Sequence, residues 1–229
     1  MDMANIRKIL AATIAVAAIA VSHAAVADGE VVTRVFGEAP ASTGKKVVTR
    51  TLKEPSSESA GSTPFALSLL PGIGTAQEDF SVRGLRLNVL AGRHHSLQGV
   101  DLGLLGNAIV DDVLGVQAAC GWNWVGASEG ALQFAFGFNV CEADFCGFQG
   151  SWIFNSVGET CSGVQISAFN KAEILEGLQF GLLNVADRGV GAQIGLLNHA
   201  RALEGVQIGV LNFITDSSVP FLPVVNGAF

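Results

Sequence analysis

Amides are the most regularly placed hydrogen-bonding side chains in this sequence. Glutamine recurs at Gln117, Gln133, Gln149, Gln165, Gln179, Gln193 and Gln207, spaced 16, 16, 16, 14, 14 and 14 residues apart. Asparagine recurs at Asn107, Asn123, Asn139, Asn155, Asn170, Asn184, Asn198, Asn212 and Asn226, with spacings of 16, 16, 16, 15, 14, 14, 14 and 14. An amide carries donors and an acceptor without charge, so such rows can line a polar lumen, hold a polar ligand, or bond to one another. Buried amides must be paired, which favours the last use.

The other candidates are scattered. Arg93-His94-His95 has the composition of a small metal or phosphate patch, but it lies between two strand-like units and reads as an exposed turn. Asp111-Asp112 and Glu142-Ala-Asp144 are acidic pairs that fall short of the six or so oxygens calcium needs. Ser68, Ser81, Ser96 and Ser167 lack a nucleophile-elbow motif. Gly72-Ile-Gly74 carries neither a dinucleotide nor a phosphate-loop signature, so no nucleotide is implied. Trp122-Asn-Trp124 places two indoles on one strand face, where packing is a simpler use than stacking on a sugar. The residues imply no catalytic centre, no metal and no cofactor.

Cys120, Cys141, Cys146 and Cys161 form an even set, which in an exported chain favours disulfides with three possible pairings. Cys141 and Cys146 are spaced to staple a hairpin end, leaving Cys120 to meet Cys161. No histidine stands at metal-ligand spacing from them.

The amides belong to a repeated unit. Its clearest copies are Gly177-Leu-Gln-Phe-Gly-Leu-Leu-Asn184, Gly191-Ala-Gln-Ile-Gly-Leu-Leu-Asn198 and Gly205-Val-Gln-Ile-Gly-Val-Leu-Asn212. Diverged copies begin at Gly84 and Gly99, and residues 220–226 read as a last, altered one, giving about ten units. Val206, Ile208 and Val210 alternate with Gln207, Gly209 and Leu211, the period of a strand. Two glycines per unit oppose a helix, at about 1 kcal/mol each. Charge collects between units, as in Asp187-Arg188-Gly189, which marks exposed turns.

The fold expected is all-β: strand-turn units of 14–16 residues in an antiparallel meander closed as a β-barrel. Strands of about ten residues would cross a bilayer at a tilt, with Gln and Gly lining the lumen and apolar side chains facing lipid. The alternative is a β-solenoid with one unit per coil and a ladder of stacked asparagines. Equal spacing, uniform turn chemistry and the lack of tyrosine for aromatic girdles support that alternative.

Arg7 and Lys8, the apolar run 9–21 and Ala25-Val26-Ala27 read as a signal peptide over 1–27. Residues 28–64, which include Glu54-Pro-Ser-Ser-Glu-Ser-Ala-Gly-Ser62, read as a flexible linker, and 65–229 as the β-repeat domain. The address expected is therefore export to the outer membrane or cell surface. A net charge of −7 argues against nucleic acid as a partner.

The Gly-x-Gln-Ile-Gly-Leu-Leu-Asn units resemble the bacterial surface repeat-containing protein family, whose members carry a signal peptide followed by such repeats. Phe65-Ala-Leu-Ser-Leu-Leu-Pro-Gly-Ile-Gly-Thr75 and Leu222-Pro-Val-Val-Asn-Gly-Ala-Phe229 also look like that family. The match is close over 163–212 and loose over 115–155, where the tryptophans and cysteines depart from it. The resemblance implies envelope or surface placement and brings no catalytic residues. The function expected is a non-enzymatic envelope repeat protein with a structural or interaction role, associated with the outer membrane or a surface partner. A soluble solenoid binding a protein or glycan, and a small outer-membrane pore, are the alternatives.

Overall fold

One glycine-rich unit buries too little surface to stand alone, so each must stack on the next. The computed structural model describes residues 60–229, and there the units stack in parallel as a β-solenoid. The signal peptide read at 1–27 and nearly all of the linker read at 28–64 fall outside the described residues. The strands are β1 (Gly61–Leu70), β2 (Ile73–Gly74), β3 (Phe80–Asn88), β4 (Ala91–His94), β5 (Leu97–Gly103), β6 (Gly106–Ala119), β7 (Trp122–Ala135), β8 (Phe138–Cys141), β9 (Phe145–Ser151), β10 (Phe154–Ile166), β11 (Phe169–Ile214) and β12 (Phe221–Ala228). β1 thus begins inside the stretch read as linker. β11 winds continuously through the last coils.

The antiparallel barrel is overturned by the pairing. From β3 to β11 every neighbour is parallel, with Gln117 opposite Gln133, Gln149 opposite Gln165, and Gln165 opposite Gln179. The sheet runs from β2 to β12 without the two ends meeting. Parallel neighbours normally need a long crossover, and here the rest of the coil supplies it. A meander would have set unlike residues opposite one another and lost the match of amide to amide.

The change of period from 16 to 14 is absorbed at corners. Asn155 pairs with Asn170 and Gln165 with Gln179, while the register shifts between Val157 and Thr160. One residue is thus dropped near Gly158 and another ahead of Phe154, so both amide rows stay aligned. The strand alternation also breaks at a corner. Val210 and Leu211 are both exposed before Asn212 turns inward, against the expected opposite directions.

Antiparallel strands cover both ends. β2 folds back on β1, and β12 runs back along the final coil with Gly205 opposite Ala228 and Phe213 opposite Phe221. Residues 220–226, expected as a tenth unit, are this cap. Open sheet edges template unwanted pairing, and the caps shield them. The apolar half of the interior is narrow, built from one column containing Ile109, Val125, Cys141 and Val157 and another containing Leu97, Val113, Phe145 and Cys161.

Gly191 has φ 146° and a methyl group there would collide with the Gly177 carbonyl oxygen. The same conformation recurs at Gly163, Gly177 and Gly205, where each coil turns into its glutamine strand. Gly130, by contrast, faces only the flexible Leu114 side chain, 3.2 Å from a built Cβ. Gly191→Ala is expected to cost about 3 kcal/mol or more in urea unfolding, against roughly 1 kcal/mol or less for Gly130→Ala. Equal losses at the two sites would contradict this account of the turn.

Candidate functional site

The repeated amides form two continuous ladders inside the coils. In the first, each glutamine Nε2 donates to the Oε1 of the preceding glutamine, from Gln207 through Gln193, Gln179, Gln165, Gln149 and Gln133 to Gln117, at 2.7 to 2.9 Å. In the second, each asparagine Nδ2 donates to the Oδ1 of the following one, from Asn107 through Asn123, Asn139, Asn155, Asn170, Asn184 and Asn198 to Asn212, at 2.8 to 3.1 Å. The ladders therefore point in opposite directions along the axis. Their second amide hydrogens bond backbone carbonyls, as in Asn184 to Ile194 O at 2.9 Å and Gln193 to His199 O at 3.3 Å. All of these rungs are sealed from solvent. They answer to internal pairing, as the sequence suggested, and offer nothing to a ligand. Asn226, the last in the sequence row, is no rung: the reversed chain sets it opposite Gln207.

The first ladder ends on a charge pair that the sequence reading missed. Arg86 and Asp101 occupy the glutamine position in the two coils that precede Gln117, and both are fully buried. Gln117 Nε2 donates to Asp101 Oδ2 at 3.2 Å, and Arg86 grips the same carboxylate through Nε, 2.8 Å from Oδ1, and Nη2. Asn88 donates to Asp101 Oδ1 at 2.8 Å and to Asn107 Oδ1 at 2.6 Å, joining the two ladders. Arg86 Nη1 also bonds Ala108 O at 3.2 Å. The signal was present: Arg86 and Asp101 each stand two residues after a unit glycine, where later coils have glutamine.

His94 and His95 are buried, which corrects their reading as an exposed turn. His94 donates from Nδ1 to Gln77 O at 3.1 Å and accepts at Nε2 from Ser68 Oγ at 3.4 Å, as a neutral ring. Burial, seconded by the Arg86 charge, holds its pKa below the usual 6.5, against smaller opposing contributions from Gln77, Asp101 and Phe80. Burial likewise lowers His199, opposed by Asp187. Among the described residues no group of three or more His, Cys, Asp or Glu is placed to hold a metal ion.

The expected disulfides are absent and all four cysteines are free thiols. β8 and β9 are successive strands of one coil, both parallel to β7, so there is no hairpin end for Cys141 and Cys146 to staple. Cys161 lies in the core and Cys120 is exposed, on opposite sides of the wall. Burial pushes the Cys161 thiol up to about 12 and Cys141 higher still, which leaves neither as a nucleophile at neutral pH.

What the coils present outward is the second feature. Counted from the unit glycine, the second, fourth and sixth residues point out of the glutamine wall. Phe65, Leu85, Val100, Val116, Leu132 and Phe148 stand in one such column by register. No charged residue occupies these positions from Gly84 to Val210. Leu182, Leu196 and Val210 are 54, 55 and 61% exposed, and Phe136 and Trp152 67 and 70%. Phe136 stacks on Trp152 at 5.6 Å and Phe134 meets Phe148 at 5.4 Å. Between these rings, where the columns step down to Ala118, Cys120 and Gly150, lies a shallow depression of about 550 Å³. Trp122 covers Gly106 and stacks on Phe138 at 6.4 Å, while Trp124 flanks the buried Asn123 from the other side.

The reverse wall carries the charge. Arg201 holds Asp187 through Nε at 2.7 Å and Nη2 at 3.0 Å and Asp216 through Nη1 at 2.7 Å, across successive coils. These groups are exposed, so the array is open to screening by salt. It holds the Asp187 carboxyl below its ordinary range.

Removing one member of a buried ion pair strands the other, at about 3–5 kcal/mol. Arg86→Gln and Asp101→Gln should each show such a loss in urea unfolding. The double variant, which extends the glutamine ladder by two rungs, should recover most of it; losses that simply add would refute the ladder-end role. The histidines set a second expectation. Below pH 6.5 the unfolded chain takes up protons that folded His94 and His199 resist, so stability falls as pH drops from 6.5 through their lowered pKa values. The urea midpoint should decline between pH 7.5 and 5.5, and His94→Gln with His199→Gln should flatten that decline.

No known protein family, characterised protein or solved structure matches this chain.

Proposed function

We propose that this chain is a non-enzymatic cell-envelope repeat protein whose solenoid acts as a rigid platform, with its apolar wall laid against a partner protein. The observation that carries the reading is that wall: a charge-free field, mostly of Leu, Ile, Val, Phe and Trp, on the outside of the glutamine ladder. Half-exposed side chains of this kind offer roughly 80 Å² each, so the wall presents on the order of 1,500 Å² of apolar surface. The largest apolar patch on a typical monomer is about 300–600 Å². A field of this size left in water invites aggregation, and a partner removes that cost.

The reading draws its envelope address from the leader-like residues 1–27 and from the resemblance to surface repeat proteins. The pore alternative loses its basis, because a parallel coil filled by two amide ladders leaves no lumen. A glycan partner fits less well, since sugars need polar groups beside the aromatic rings and this wall has few.

A photoreactive amino acid at position 196, on the wall, should give protein adducts in the envelope of cells exporting the full chain. The same group at position 188, on the charged side, should give none. Adducts from neither position, or equally from both, would remove the docking role.

A further inference from the structure

We propose that the partner on the apolar wall is a second copy of this chain, wall against wall about a two-fold axis. The inference rests on the docking role above and names its occupant. Three observations point to it.

The first is area. Two walls closing on each other would bury on the order of 3,000 Å² in total, above the roughly 1,600 Å² of a standard interface and within the range of permanent homodimers. Both surfaces are the same sheet face and so match in extent, and sheets pack face to face about 10 Å apart.

The second is shape. A two-fold interface must be complementary to itself, so one patch has to carry both projection and recess. Phe136 and Trp152 stand clear of the wall beside the depression floored by Ala118, Cys120 and Gly150. In the pairing proposed, the projecting rings of one copy enter the recess of the other. Buried aromatic anchors of this kind dominate interface energetics.

The third is charge. The wall offers nothing to repel its own image, and the acidic reverse sides would face outward. They would lie further apart than the roughly 8 Å over which charges act at physiological salt. A bilayer surface fits less well. Anionic lipid headgroups draw Lys and Arg, whereas the rims of this wall set Glu176 and Glu204 beside the scattered Arg83 and Lys171.

The test is the mass of the full chain, purified without detergent, by sedimentation equilibrium at micromolar concentration. A dimer is expected. Leu182→Glu with Leu196→Glu should weaken it about 100-fold or more while leaving the strand signal in circular dichroism intact, since both side chains are already exposed. Arg188→Glu, on the reverse side, should leave the dimer unchanged. A single Leu196→Ser variant, far milder to folding, should weaken it measurably if the doubly charged form does not fold. A monomer throughout, species larger than a dimer, or a dimer broken only from the reverse side would overturn the proposal. So would a monomer that floats with neutral or anionic lipid vesicles. If the chain is monomeric while position 196 still captures a different protein in cells, the self-association fails and the docking role stands; if neither occurs, both fail.

Discussion

The structure depends on keeping two rows of buried amides in step. A parallel coil repeats its backbone pairing at every turn, so residues at one phase stack directly above one another at the strand spacing of about 4.8 Å. An amide placed at such a phase finds a copy of itself on either side, and one donates while the other accepts. The glutamine and asparagine rows exploit this over most of the described length. The same repetition makes the arrangement unforgiving, because a buried amide out of step leaves polar atoms unpaired at about 1–3 kcal/mol each. Register is thus enforced from inside, by hydrogen bonds that have no adequate alternative partners.

A ladder of dipoles must end somewhere, and its ends explain features that the repeat alone does not. The glutamine ladder donates toward the first coils, where a neutral amide would leave its own donors pointing into the cap. A carboxylate accepts without donating, so Asp101 suits that position, and Arg86 neutralises it in place. The asparagine ladder donates the other way and finishes on the carbonyls of Gly209 and Leu222. Each ladder leaves one carbonyl oxygen unpaired where it runs out, at Asn88 and at Gln207. Opposed directions also keep the two rows from summing to a single axial dipole.

The amide rows dictate the outside as well. A strand alternates, so a wall whose inward residues are glutamine and glycine puts its apolar residues outward. The molecule therefore hides polar groups and displays greasy ones along the glutamine wall, while the opposite wall buries Val, Leu and Ala and shows its charges. An interior half filled with amides has little apolar surface of its own to bury. That shortfall gives physical sense to a solenoid that completes its hydrophobic burial against something else.

Much of this was legible in the residues. The 14- and 16-residue spacing of Gln and Asn announced a repeat, the alternation announced strands, and the charge between units marked a part of each coil that faces water, although Asp187-Arg188-Gly189 lies within the strand of the reverse wall and not in a turn. Pairing of the amides with one another followed from the cost of burying them. Three things were decided only by the tertiary structure. Strand direction was one: alternation reads the same in a parallel coil and an antiparallel meander, and only the match of Gln133 to Gln117 and Gln149 distinguishes them. Inside and outside were another, because a sequence period says which residues share a face and not which face is enclosed. The last was the fate of single residues at the ends and corners, such as His94 drawn inward, Asn226 turned against Gln207, and Cys120 parted from Cys161 by the wall. A repeat fixes what neighbouring coils share; where the repeat stops or bends, packing against particular neighbours takes over.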